Sequence, residues 1–317
     1  MEQQARLMLR DGLLSVGISL ILYKLTASAT LFVVPLLFVA PRLQDIRRAL
    51  VPVVLVLVLL SGYNLYQVGF RLNEPVVRGS LAIGMFLPVA LLIGAGVWIG
   101  FAKYRMLVRL LLASVFAAVM GFSLVIWFRS GSVSATSTAD SIRSTFGILF
   151  PSLFGSAIPL GMDMELMFSL VVEIVEFAFL PLFLGQFGLS VMISELLMHR
   201  NEWLYQERMT RWQLPVNTVW VFLSSWTLVL ATLLFIKVPL VACLAWNTAL
   251  SVSLLYVVQG VSIASCVVRR RNPNATATRT FVLAFLLVLI PGLNVIPLIA
   301  LLLLGVSETW IRYRMYT

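Results

Sequence analysis

Residues 162–184 read MDMELMFSLVVEIVEFAFLPLFL, an apolar run of membrane-crossing length that nevertheless carries Glu165, Glu173 and Glu176. About 20 consecutive apolar residues make a helix that crosses a hydrocarbon core of about 30 Å. An ionised side chain near the centre of that core costs roughly 2.5–3.5 kcal/mol on insertion scales, so such groups face a protein interior or a wet cavity and mark functional sites. Glu165, Ser169, Glu173 and Glu176 are spaced i, i+4, i+8 and i+11, which puts all of them on one helical stripe. A rise of about 1.5 Å per residue sets Glu173 and Glu176 near mid-depth. Leu180, Phe183 and Phe187 continue the same face, with Pro181 and Gly185 between them to kink the helix and open backbone groups towards a ligand.

The rest of the chain has the same character. Of its residues 61% are hydrophobic and only 11% charged, too little polar surface to cover a soluble globule of this length. The apolar runs are long, and they lack the short alternating strands of an outer-membrane barrel. The expected fold is therefore all-α, a polytopic transmembrane bundle of about eight hydrophobic units. These are Gly12 to Ala40, Ala49 to Phe70, Leu81 to Ala102, Met106 to Phe128, Met162 to His199, Asn217 to Ile236, Val238 to Val268, and Thr280 to Trp310. No stretch between them is long enough to bury a core of its own, so residues 1–317 read as a single integral membrane domain.

Lysines and arginines gather in alternate loops, at 41–48, 103–109, 200–211 and 269–279. Positive loops stay in the cytoplasm, so these four are assigned there, in a bacterial inner membrane, and the Ser/Thr-rich segment 130–156 falls outside as an interfacial helix, a lid or a flexible loop. Two units conflict with a simple crossing. The first carries Lys24 in its middle, and the last is broken by Pro291-Gly292-Leu293-Asn294 and by Pro297. The arginines beyond each, Arg6 and Arg10 at one end and Arg312 and Arg314 at the other, favour hairpins that return both termini to the cytoplasmic side. Small residues at Gly96 and Gly100, and at Ala113, Ala117 and Gly121, predict close packing of consecutive helices.

Several functions are disfavoured. The net charge of +10 is scattered through short loops and forms no single basic face, so nucleic acid is not an expected partner. Cys243 and Cys266 have no metal-ligand spacing, His199 is the single histidine, and no nucleotide, zinc-hydrolase or serine-hydrolase motif is present, so neither an enzyme nor a cofactor or metal is expected. Asn247, Gln259 and Asn294 are expected to hydrogen-bond between helices.

The glutamate stripe keeps two readings open. In one it binds or transports a small solute or cation, with Glu173 and Glu176 at the site, Glu165 and Ser169 at the approach and Lys24 as counter-charge or ligand. In the other the protein is a scaffold or assembly partner of another membrane protein, and the glutamates form a structural pair with Lys24.

Arg211-Trp-Gln-Leu-Pro215, Asn247, Tyr256-Val-Val-Gln259-Gly260, Leu304-Gly305, Trp310 and Arg314 are spaced along the last third of the chain in a pattern that resembles the YybS-like family of bacterial membrane proteins. That resemblance covers residues 201–317. It implies that residues 1–200 are similar to the substrate-binding components of energy-coupling-factor transporters, six-helix proteins that hold vitamins or metal ions. Ser15 and Ser19 stand nearest to where such components carry a helix-docking A-x-x-x-A signature.

Overall fold

A computed structural model describes residues 2–25, 31–43, 45–154, 164–199, 202–272, 276–289, 295–311 and 313–314. The described residues are overwhelmingly helical and contain no strand. Five helices are long and apolar enough to cross a membrane: Ile46–Val68, Pro75–Gly100, Met106–Arg129, Glu165–His199 and Pro239–Arg271. The protein is an all-α, multi-pass helical membrane protein. Its chain divides into two compact units, Met1–Ser194 and Glu195–Thr317.

The first unit contains α1 (Glu2–Lys24), α2 (Val34–Val39), α3 (Ile46–Val68), α4 (Pro75–Gly100), α5 (Met106–Arg129), α6 (Val133–Phe154) and most of α7 (Met164–His199). Local chemistry sets these boundaries. The Asp45 carboxylate accepts from the Arg47 amide at the start of α3, and Pro75 occupies the first turn of α4, where its missing N–H costs nothing. Gly69 and Gly131, with φ of 55° and 66°, supply the left-handed residues after α3 and between α5 and α6.

α1 runs parallel to α3: Gly12 sits against Pro52, and Lys24 donates to the Tyr63 hydroxyl. Residues 31–43, including α2 and the short 3-10 turn Ala40–Leu43, bring the chain back along α1, with Tyr23 and Phe32 in edge contact near the turn. The first hydrophobic unit is therefore a hairpin, and Arg10 lies at the same end of the unit as Arg47 and Arg48. α4 runs antiparallel to α3, with Leu50 beside Gly96, and α5 antiparallel to α4. Arg109 closes the α4–α5 connection by donating from Nε and Nη2 to the Trp98 carbonyl at 2.9 and 2.6 Å, with its guanidinium over the indole. A cation there satisfies a carbonyl in the last turn of α4. Loops 41–48 and 103–109 accordingly share one face of the unit.

Aromatic rings hold α7 in place. Phe179 meets Phe86 and Phe122 edge-on, and Phe187 stacks on Phe183 and meets Trp98 edge-on. Gly121 and Gly94 make the room: a Cβ on the first would collide with the Phe179 ring, and one on the second would lie 3.1 Å from Phe183. Ala113, Ala117 and Gly121 do face inward as expected. Gly96 and Gly100 do not form a close contact, since a Cβ at Gly100 meets nothing within 4 Å; Gly94 has that role on α4. Nor do Phe183 and Phe187 flank a ligand opening, because both are fully buried and α7 runs on through Pro181 and Gly185.

The second unit contains α8 (Trp203–Thr210), α9 (Thr218–Leu234), α10 (Pro239–Arg271), α11 (Ala277–Leu289) and α12 (Val295–Ser307). α10 is its core, packed by α9, α11 and α12. Trp226 of α9 meets Trp246 edge-on and donates from Nε1 to Ser253. α12 crosses α10 at glycines: a Cβ on Gly260 would collide with the Leu301 carbonyl, and one on Gly305 with the Tyr256 carbonyl. α11 and α12 have 13 residues each, about 20 Å of helix, too short to cross alone. Gln206 bonds Thr278 at the start of α11, and Arg270 donates to the Arg314 carbonyl beyond α12, so the pair enters and leaves at one end of α10. The last hydrophobic unit is thus also a hairpin. The break at 291–294, with Asn294, lies outside the described residues.

Two outcomes test this architecture. In a protein with both cysteines replaced by serine, Arg10→Cys and Lys103→Cys are expected to label from one side of sealed vesicles and Arg71→Cys from the other; labelling of residues 10 and 71 from the same side would refute the parallel α1–α3 arrangement. Gly260→Val is expected to cost about 1–3 kcal/mol or more in detergent unfolding through overpacking, with Gly100→Ala near neutral.

Candidate functional site

α5 and α7 are antiparallel, as the Phe122–Phe179 contact and the Arg129–Glu176 pair one turn further on establish. Helical side chains lean towards their own N-terminus. Arg129, the last residue of α5, therefore reaches back along its helix, and Glu176 leans towards the N-terminus of the antiparallel α7, so the two side chains meet. Arg129 Nε donates to Oε1 and Oε2 of Glu176 at 3.2 and 3.0 Å, and Nη2 also closes on Oε2. The result is a forked, charge-assisted pair. Glu176 is buried, its side chain 8% exposed, whereas that of Arg129 is 38% exposed.

The same fork corrects two expectations. Glu176 takes its counter-charge from Arg129, and Lys24 is engaged elsewhere. Lys24 ends α1 and does not sit mid-span; its Nζ donates to Tyr63 Oη at 2.7 Å and lies 3.9 Å from that ring's centroid. A lysine at a helix end buries its stem and keeps its ammonium at a polar boundary, here shared with a tyrosine. Nor do the acids stand at the middle of α7. α7 has 36 residues, about 54 Å of helix, far more than a crossing needs, and Glu176 lies beyond the Phe179 layer towards the end of α5.

α6 supplies the other wall. Arg143 pairs with Glu165 at 2.7 Å, has Asp140 at 3.9 Å, and sets its guanidinium over Phe168, which also meets Phe146 edge-on. Between α5, α6 and α7 lies a cleft of about 400 Å³ bounded by Phe128, Arg129, Arg143, Phe168, Ser169, Glu173 and Glu176. Ser169 turns its hydroxyl back to the Leu166 carbonyl at 2.8 Å. Glu173 is exposed and makes no ion pair or hydrogen bond among the described residues. Ser169, Glu173 and Glu176 of the stripe thus line one cavity, while Glu165 stands outside its wall and is paired to Arg143.

Arg129 and Arg143 fall outside the four arginine-rich loops and were not among the expected site residues. Their position was informative all the same, because Arg129 ends a span and Arg143 lies inside a Ser/Thr-rich helix that faces the acidic stripe.

A second polar cluster, in the α8–α12 unit, went unread. Gln259 accepts from the Leu214 amide at 2.8 Å and donates to the Gly305 carbonyl and to Glu308. Glu308, 4% exposed, is forked by Arg314, which also donates to the Trp212 carbonyl. Trp212, Leu214, Gln259, Gly260, Gly305 and Arg314, all in the spaced pattern of the last third, converge here as a fully connected structural lock. Gln259 bonds between segments as expected, and Asn247 donates to the Cys243 carbonyl one turn back on its own helix at 2.9 Å. His199 lies between Glu195 and Glu202. Ser15 and Ser19 are buried, so they form no outward docking stripe on α1. Among the described residues no cluster of histidine, cysteine or acidic side chains has the arrangement of a metal site.

Comparison of the chain with protein-family models, curated proteins and solved structures gives no match. Fold and site together define a multi-pass helical membrane protein with a mixed-charge cleft at one end of its first unit.

Glu176→Gln is expected to lower stability by about 1–3 kcal/mol, since it leaves the half-buried Arg129 without its carboxylate. Glu165→Gln, which opens an exposed pair, should change it by less than about 1 kcal/mol. Chemical unfolding in detergent separates the two, and Arg129→Gln added to Glu176→Gln should recover part of the loss.

Proposed function

We propose that the protein binds a small solute carrying a protonated amine in the cleft between α5, α6 and α7, with Glu173 as the anionic contact. The observation that carries this reading is the contrast within one stripe. Glu176 and Glu165 are paired with Arg129 and Arg143, while Glu173, beside Glu176 in the cleft wall, has no ion pair or hydrogen bond among the described residues. A site with one carboxylate left unpaired among the described residues favours a cation. A cleft of about 400 Å³ falls within the usual range for small-molecule sites, roughly 300–1,000 Å³. With the arginine-rich loops in the cytoplasm of a bacterial cell, the cleft opens on the opposite side of the membrane, where a transporter or sensor would first meet its solute. Arg129 and Glu176 position the wall, and Arg143 and Glu165 hold α6 against α7.

A scaffold role is the second reading. It is favoured by the two completed ion pairs, which need no ligand to account for them.

Thermal unfolding of the purified full-length protein with putrescine, spermidine, lysine or arginine, against glucose and succinate as controls, distinguishes these readings. On the binding reading at least one amine stabilises the protein, by about 2.7 kcal/mol at 100 times its dissociation constant. Glu173→Gln should unfold at the wild-type midpoint without solute and lose that increment. No response to any amine, or an equal response in Glu173→Gln, would favour the scaffold.

A further inference from the structure

We infer, resting on the amine-binding reading above, that the cleft between α5, α6 and α7 selects a primary ammonium group over a quaternary one, with Ser169 as a second acceptor beside Glu173. Ser169 and Glu173 are i and i+4 on α7, and both line the cleft. Side chains at that spacing are neighbours, with about 5–6 Å between their Cβ atoms. An ionised glutamate only accepts hydrogen bonds, whereas a serine hydroxyl has one proton and two lone pairs, so what it offers a ligand depends on where the proton goes. Here the hydroxyl donates to the Leu166 carbonyl at 2.8 Å, and that is its single hydrogen bond among the described residues. Its lone pairs are left open, so towards the cleft Ser169 is an acceptor as well.

The donors in the wall are turned elsewhere: Arg129 forks Glu176, and Arg143 pairs with Glu165. Ala139 and Val172, beside them in the lining, have no polar side-chain group and suit an apolar body behind the charged nitrogen. A primary ammonium has three N–H donors, which match this arrangement: one for Glu173, one for the Ser169 oxygen, and one for water at the open mouth. A quaternary ammonium carries the same charge and no donor. Its methyl groups hold the carboxylate further off and cover the Ser169 oxygen without bonding it, a loss that the charge does not restore. Aromatic faces are the usual means of holding a quaternary nitrogen, and one face of the Phe168 ring already carries the Arg143 guanidinium, 5.4 Å from its centroid. Charge draws both kinds of cation to the cleft, and hydrogen-bond donors separate them.

The test is titration calorimetry on the full-length protein purified in mild detergent, with hexylamine, hexyltrimethylammonium and hexanol, which share one apolar chain. Wild type is expected to bind hexylamine about ten-fold more tightly than hexyltrimethylammonium, and hexanol more weakly than either. Ser169→Ala, which removes one exposed oxygen, should bring the two cations within about two-fold of each other, and Ser169→Thr, which keeps the hydroxyl, should restore the difference. Equal binding of the two cations by wild type, or an undiminished difference in Ser169→Ala, would overturn the inference and leave the role of Glu173 standing. Binding of neither cation, or equal binding of hexylamine by wild type and Glu173→Gln, would instead overturn the amine reading itself.

Discussion

A charge or an open carbonyl in hydrocarbon costs several kcal/mol, and the arrangement of this protein follows from where those groups are closed. Several long polar side chains near helix ends reach a specific acceptor on a neighbouring element. Arg109 takes the Trp98 carbonyl and so ties α4 to α5. Arg129 forks Glu176 and ties α5 to α7. Lys24 takes Tyr63 and ties α1 to α3. In the second unit Arg314, Glu308 and Gln259 bind the chain after α12 to α10 and to the segment before α9. Such contacts define register where apolar packing between lipid-like surfaces is weakly directional.

Packing itself takes two forms. In the second unit Gly260 and Gly305 let α10 and α12 touch backbone to backbone, and no cavity survives at that crossing. In the first unit α7 is held at arm's length by Phe179, Phe183 and Phe187, whose rings fill the gap to α4 and α5. Beyond the Phe179 layer the face of α7 that lines the cleft carries Glu176, Glu173, Val172 and Ser169 before Phe168 is reached. The cleft exists because helices spaced by aromatic rings stay apart where the rings give way to smaller or flexible polar side chains.

The short hairpins at both ends of the chain have a common cause. α1 is matched by a return that contains only α2 and a 3-10 turn, and α11 and α12 are about 20 Å each. Half-length helices leave polar ends at membrane depth unless protein covers them, and here they lie against α1, α3 and α10. An apolar groove beside Gly12 and Pro52 lies along the α1–α3 pair, which the first of these hairpins joins.

Sequence by itself determined the helical membrane class, the long spans, the hairpins implied by arginines at both termini, and the stripe from Glu165 to Glu176. Those follow from composition, length and a period of 3.6, which are properties of a chain read one helix at a time. Tertiary structure alone decided what each charge meets. Lys24 and Arg129 are both cations near span ends, and only the parallel pairing of α1 with α3 and the antiparallel pairing of α5 with α7 gave Tyr63 to one and Glu176 to the other. The level of the acids along α5 was likewise settled by the ring layer at Phe179, since a 36-residue helix can slide by several turns against its neighbours until side-chain packing fixes it. Glu308 illustrates the limit from the other side: a lone acid at the end of an apolar run has no periodic signal, and its burial depends on Gln259 and Arg314, which are distant in sequence and adjacent only once α12 crosses α10.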